Sequence, residues 1–232
     1  MEKSKLTLII LGCIALSSCS QRPLPPRTTI VDTRVVEMGN GSNVTVLTQH
    51  AINGDIVEDT DNNLNIVSKT DNTKAVGLKV LQFTAMFLAG GNATVNTHSK
   101  EQLKGNHIAS VKNKTMEYLN PEIDTLLSQT DIRASSGSKI TIQPYKFKLI
   151  YNGLDDDDYE FVYSTTITAG DFHHVCSSNQ LISTDRIQPF SHWENDNFNL
   201  TQTMTKKIIN ECILKLSSDE NKEKLLNNLT RS

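Results

Sequence analysis

Apolar and polar positions alternate most regularly between Tyr145 and Ile167. Tyr145, Phe147, Leu149 and Tyr151 are separated by Lys146, Lys148 and Ile150, and Tyr159, Phe161, Tyr163, Thr165 and Ile167 by Glu160, Val162, Ser164 and Thr166. A period of two puts every second side chain on one face of a strand. These segments therefore read as two antiparallel strands that bury their odd-numbered face and are joined across Asn152 to Asp158. Thr28 to Met38, rich in Val, Ile and Thr, reads as an earlier strand. Gly39-Asn40-Gly41 is a turn signal, and Val44 to Thr48 reads as the returning strand of a hairpin. The patches Ile56-Val57 and Ile66-Val67 flank Asp61-Asn62-Asn63 and suggest a second small hairpin.

Elsewhere the period lengthens. From about Leu200, the residues Met204, Ile208, Cys212 and Leu216 recur every fourth position, which is the apolar stripe of a helix. Ser217-Ser218-Asp219-Glu220 fits a capping box, and Leu225, Leu226 and Leu229 mark a short closing helix. Ser99-Lys100-Glu101-Gln102 fits the same box. Leu103, Ile108, Val111 and Leu119 follow at near-helical spacing and predict an amphipathic helix. Asn120-Pro121 then restarts the chain as a cap and first helical residue, with a short helix to about Leu127. Val76 to Ala89 is the most apolar stretch beyond the amino terminus. It falls short of the ~20 apolar residues of a membrane span and contains Lys79 and Gln82, so it reads as a buried core helix or strand. Strands and helices interspersed around an antiparallel hairpin predict an α+β fold, an antiparallel sheet with helices packed on one face, in a single domain over 28–232.

The amino terminus carries another pattern. Lys3 and Lys5 precede Leu6 to Leu16, an almost unbroken apolar run of the length found in secretory signals. Leu16-Ser17-Ser18-Cys19 follows: a branched apolar residue, two small residues and a cysteine. This resembles the lipobox of bacterial lipoproteins. The resemblance implies that residues 1–18 are a signal peptide removed before Cys19, that the Cys19 thiol carries diacylglycerol, and that the new amino terminus is acylated, palmitate being the usual chain. Ser20 in place of Asp implies the outer membrane, without saying which face. Residues 19–27 then form a lipidated tether, stiffened by Pro23, Pro25 and Pro26.

Composition narrows the partners. The formal net charge is −3, with 23 basic and 26 acidic residues, so no basic excess exists to favour nucleic acid. With Cys13 in the leader and Cys19 lipidated, Cys176 and Cys212 remain, and an oxidising compartment favours a disulfide between them. Two isolated cysteines lack the C-x-x-C spacing of zinc ligation, so no metal site and no cofactor is expected. Asp155-Asp156-Asp157-Asp158 lacks the alternation of an EF-hand loop and reads as a solvated hairpin tip. His173 and His174 are adjacent, and on a strand they face opposite sides; His192 and Asp171 are the other ionisable groups nearby. Trp193 reads as a packing residue. No catalytic signature such as G-x-S-x-G or H-E-x-x-H occurs. The expected function is therefore a membrane-anchored, non-enzymatic accessory or binding module that holds a protein partner in the cell envelope. The alternative is an envelope hydrolase or metal-binding protein that uses the Asp171/His173/His174 region.

Overall fold

β1 (Thr28–Glu37) and β2 (Asn43–Ala51) form the expected hairpin, with Thr28 opposite Ala51 and Glu37 opposite Asn43. Its turn needs glycine at Gly41, whose φ of 81° lies in the left-handed region, and the Gly41 N–H donates to the Met38 carbonyl at 2.9 Å. This is a computed structural model that describes residues 28–52, 60–71, 100–153, 155 and 157–231. The lipobox, the tether, Ile56-Val57 and Val76 to Ala89 lie outside the described residues.

The long hairpin is β5 (Lys139–Tyr151) with β6 (Asp158–Ala169), antiparallel as its alternation requires. β6 buries each of its odd-numbered residues from Tyr159 to Ala169. β5 begins before Tyr145 and buries Ile140, Ile142 and Pro144; Tyr145, expected on the buried face, is only half-buried, and every residue from Phe147 to Tyr151 is buried, Lys148 and Ile150 included. The register shift between Pro144 and Lys146 puts Phe147, Leu149 and Tyr151 on the face that Ile140, Ile142 and Pro144 occupy earlier in the strand. One extra residue on one strand reverses which side chains face the core.

β5 and β6 each serve several neighbours. β5 pairs with β2 through Lys139–Ile142 and with β3 (Asn63–Val67) through Lys148–Ile150, both in parallel, on the edge away from β6. β3 in turn pairs antiparallel with β4 (Asn106–Lys112). The free edge of β6 takes β7 (Phe172–Ser177) near one end and β8 (Ile187–Pro189) near the other. The α+β architecture is the expected one, a curled sheet with helices packed against it. Two of its pairings, β2 with β5 and β3 with β5, run parallel rather than antiparallel.

Residues 99–121 differ from expectation. Lys100–Gln102 form a single 3₁₀ turn, and Ile108 and Val111 lie on strand β4, not on an amphipathic helix. Gly105, at φ 72°, carries the chain so close to β3 that a Cβ there would lie 2.5 Å from the Ile66 carbonyl oxygen. That approach commits the following residues to pairing with β3. α1 (Thr115–Ser128) begins two residues after Asn113, whose side-chain oxygen accepts the Thr115 N–H at 3.1 Å, and runs through Pro121 without restarting there.

The remaining α-helices among the described residues are α2 (Ser183–Arg186), α3 (Phe190–Leu216), which is broken by non-helical backbone at 195–198, and α4 (Asp219–Thr230). α3 buries Ile208, Cys212 and Leu216 of its predicted stripe, with Ile209 and Ile213 beside them, while Leu200 and Met204 are half-buried; α4 buries Leu225, Leu226 and Leu229 as predicted. The second capping box does not form: the Ser218 hydroxyl donates back to the Lys215 carbonyl at 2.7 Å. α1 and α3 cover the odd-numbered face of β6, where the Tyr163 hydroxyl meets Thr115 Oγ1 at 2.8 Å and Phe161 packs 5.8 Å from Trp193. No helix among the described residues is long and apolar enough to cross a membrane.

Candidate metal centre

β7 carries the residues singled out around Asp171, and its alternation decides which of them meet. Phe172, His174 and Cys176 face inward; His173 and Val175 are exposed on the other side. Residues two apart on a strand share a face, so His174 and Cys176 point together at α3. On α3, Cys212 belongs to the apolar stripe that packs against this face.

Cys176 and Cys212 are disulfide-bonded, with Cα atoms 5.3 Å apart, and both are fully buried. The bridge ties an edge strand of the sheet to the long helix. The His174 ring lies parallel to Phe172 at 6.2 Å between centroids, and its Nε2 lies 3.3 Å from the Cys212 carbonyl oxygen. A carbonyl only accepts, so Nε2 carries the proton and Nδ1 keeps its lone pair in the neutral ring. The half-buried His174 is held below the usual histidine range chiefly by burial; the hydrogen bond to Cys212 opposes this and the Lys215 ammonium adds to it.

One ring nitrogen of His174 and the two sulfur atoms all lie within 4.8 Å of one another. A tetrahedral zinc ion with bonds of about 2.3 Å to sulfur and about 2.0 Å to nitrogen separates its ligand atoms by roughly 3.5–3.8 Å. The three donors are thus grouped on the scale of such a site. Thiolates and imidazole are also the donor types that thiophilic ions select. A disulfide sulfur is not a thiolate, so the donor set is complete only after reduction. Thr165 stands opposite Cys176 in the β6–β7 register, is fully buried, and its hydroxyl finds no hydrogen-bond partner among the described residues.

The other candidate residues do not join this cluster. Asp171 and His173 are exposed; the Asp171 N–H donates to Asn228 Oδ1 at 3.1 Å. A hydrolase built from Asp171, His173 and His174 therefore lacks a convergent set, because pleating sends the adjacent histidines to opposite faces. His192 is exposed and pairs with Gln188 at 3.2 Å. Trp193 is fully buried and its indole N–H donates to the Tyr159 carbonyl at 3.0 Å, which makes it a core residue. Asp155 and Asp157 are exposed. An open groove of about 430 Å³ between α1 and α3, lined by Tyr118, Gln202, Lys206 and Leu214 among others, lies on the face of α3 away from Cys212.

The disulfide was readable from cysteine count; His174 as its companion was not, because attention to the adjacent histidines hides the H-x-C spacing that a strand turns into one face. Cys19 lies outside the described residues. No protein-family model, curated protein or solved structure was found to match the chain.

Proposed function

We propose that this chain is a lipid-anchored protein of the bacterial cell envelope whose folded domain binds a thiophilic metal ion through His174, Cys176 and Cys212 in their reduced state. The observation that carries this reading is the grouping of one imidazole nitrogen and two sulfurs within 4.8 Å, where β7 packs on α3. The histidine is already oriented by the Cys212 carbonyl. Metal-ligating histidines characteristically donate their second ring N–H to such a carbonyl or a carboxylate. Three protein ligands leave a fourth position open, as in metal sites that exchange ligands.

The oxidised form is metal-free by chemistry. A dithiol reductant gives two electrons and two protons to the disulfide and is itself oxidised to a disulfide. The two thiols then release their protons as they bind the ion. The anchor rests on the Leu16-Ser17-Ser18-Cys19 resemblance, and it sets the compartment in which this redox choice is made.

Equilibrium dialysis of the full chain with zinc, before and after anaerobic reduction by a phosphine, tests the metal reading. One zinc per reduced chain and none per oxidised chain is expected, with weaker binding in His174→Ala protein, which lacks one of the three ligands. If the reduced protein binds zinc no better than Cys176→Ser/Cys212→Ser protein, the reading is wrong.

A further inference from the structure

The end of the β1–β2 hairpin that receives the amino-terminal segment is apolar and open. Ile30, Val31 and Ile52 are 55%, 49% and 48% exposed. Thr28 pairs with Ala51, so Ile52 leaves the sheet beside the residue where β1 begins. Every residue from Thr28 to Thr33 is exposed; further along β1 the Arg34 guanidinium binds the Asp124 carboxylate and Asn120 Oδ1 on α1. The register shift between Ile30 and Asp32 leaves Val31 as the extra residue of a bulge. Bulges on edge strands re-aim a side chain, and this one turns an apolar side chain out of the alternation.

The chain that precedes this end is short. Ser20 to Arg27 separate Cys19 from β1, and fully extended they reach at most about 26–29 Å. Arg22 and Arg27 are their charged residues, with no acid among them. A lipid on Cys19 therefore keeps Ile30, Val31 and Ile52 within one short tether of a bilayer, and the tether's sequence carries two arginines of the charge that suits anionic headgroups.

We infer that this end of the hairpin seats on the lipid surface that anchors the chain, with Ile30, Val31 and Ile52 entering the headgroup boundary. The inference rests on the anchored reading and is independent of the metal site. Three aliphatic side chains form too small a patch to hold a free protein on a membrane. A short tether makes the contact intramolecular, at an effective concentration near millimolar, so a weak contact suffices. Seating would fix the orientation of the domain.

Photo-crosslinking tests this. The full-length lipidated protein is placed in phosphatidylethanolamine–phosphatidylglycerol vesicles that carry a phospholipid with a photoreactive group, and crosslinked residues are mapped by mass spectrometry. Acyl labelling of the same preparation is measured in parallel. Crosslinks are expected at residues 28–33 and 52, with a yield at least fivefold lower in acyl-labelled Ile30→Ser/Val31→Ser/Ile52→Ser protein. Labelled wild type with no such crosslinks, or with equal crosslinks at the exposed Val175, Ile182 and Leu214, overturns the seating alone. Absence of acyl label overturns the anchored reading and the seating with it.

Discussion

Asp61 shows how much one side chain can govern. Its carboxylate accepts the Phe147 N–H at 3.0 Å and Asn65 Nδ2 at 2.7 Å, while the Lys148 ammonium lies 3.7 Å away and donates to the Leu103 carbonyl at 2.8 Å. Both side chains are 7% exposed. Burial raises the Asp61 pKa to about 6 in spite of Lys148 and the hydrogen bonds, and burial lowers that of Lys148. The folded state then holds the Asp61 proton more tightly than the unfolded chain, whose value is 3.8. Stability from this group is fully present below pH 3.8 and is lost as pH rises through about 6. Urea midpoints should therefore rise between pH 7 and pH 5, by an amount equivalent to about 2 kcal/mol at most. The rise should vanish in Asp61→Asn protein. At pH 7 that substitution carries a neutral side chain, as the protonated acid does, so loss of the charge by itself should not destabilise the fold. A rise of equal size in Asp61→Asn protein would assign the titration to another group.

Elements were legible where a single period governs them. Tyr159 to Ile167 alternate without interruption, and β6 follows; Ile208, Cys212 and Leu216 repeat every four residues, and α3 follows. Residues 103–111 failed because Ile108 and Val111 are three apart, a spacing that only the contact of Gly105 with β3 decides. The parallel pairings of β5 join segments about 80–100 residues apart, and no local pattern encodes such contacts. Within α3 the chain adopts left-handed values at Asp196, Asn197 and Phe198, with φ of 49°, 51° and 61°, and the apolar stripe read from Leu200 onward carries no sign of it. Pro121 misled for a physical reason: proline is commonest at a helix start, yet here it sits on the exposed face within α1. It removes one helical N–H and crowds the Glu117 carbonyl, which typically costs about 3 kcal/mol. Pro121→Ala should therefore stabilise the fold by about 1–3 kcal/mol in chemical denaturation, with α1 amides exchanging more slowly. An unchanged midpoint would mean that α1 bends to absorb the proline.

At the scale of the whole molecule, the Cys176–Cys212 bond links the β6–β7 side of the sheet to the helical layer. It closes a loop of 36 residues, for which chain entropy predicts a stabilisation of about 4 kcal/mol. Reduction should lower Tm accordingly, and the loosened contact between β7 and α3 is where the loss should appear. The same two sulfurs are the donors proposed for metal, so an ion that binds the reduced fold should return part of what the disulfide supplied. That gain follows RT ln(1 + [metal]/Kd), about 2.7 kcal/mol at a hundredfold excess over Kd. Three states are thus ordered by calorimetry: oxidised or zinc-loaded reduced protein above metal-free reduced protein. His174→Ala should leave the oxidised and reduced metal-free values nearly in place, because its ring is half-buried and exchanges one hydrogen bond, and should abolish most of the zinc-dependent rise. A rise of equal size in His174→Ala protein would assign the metal to other donors. No rise in wild type would leave the bond a structural tie between β7 and α3.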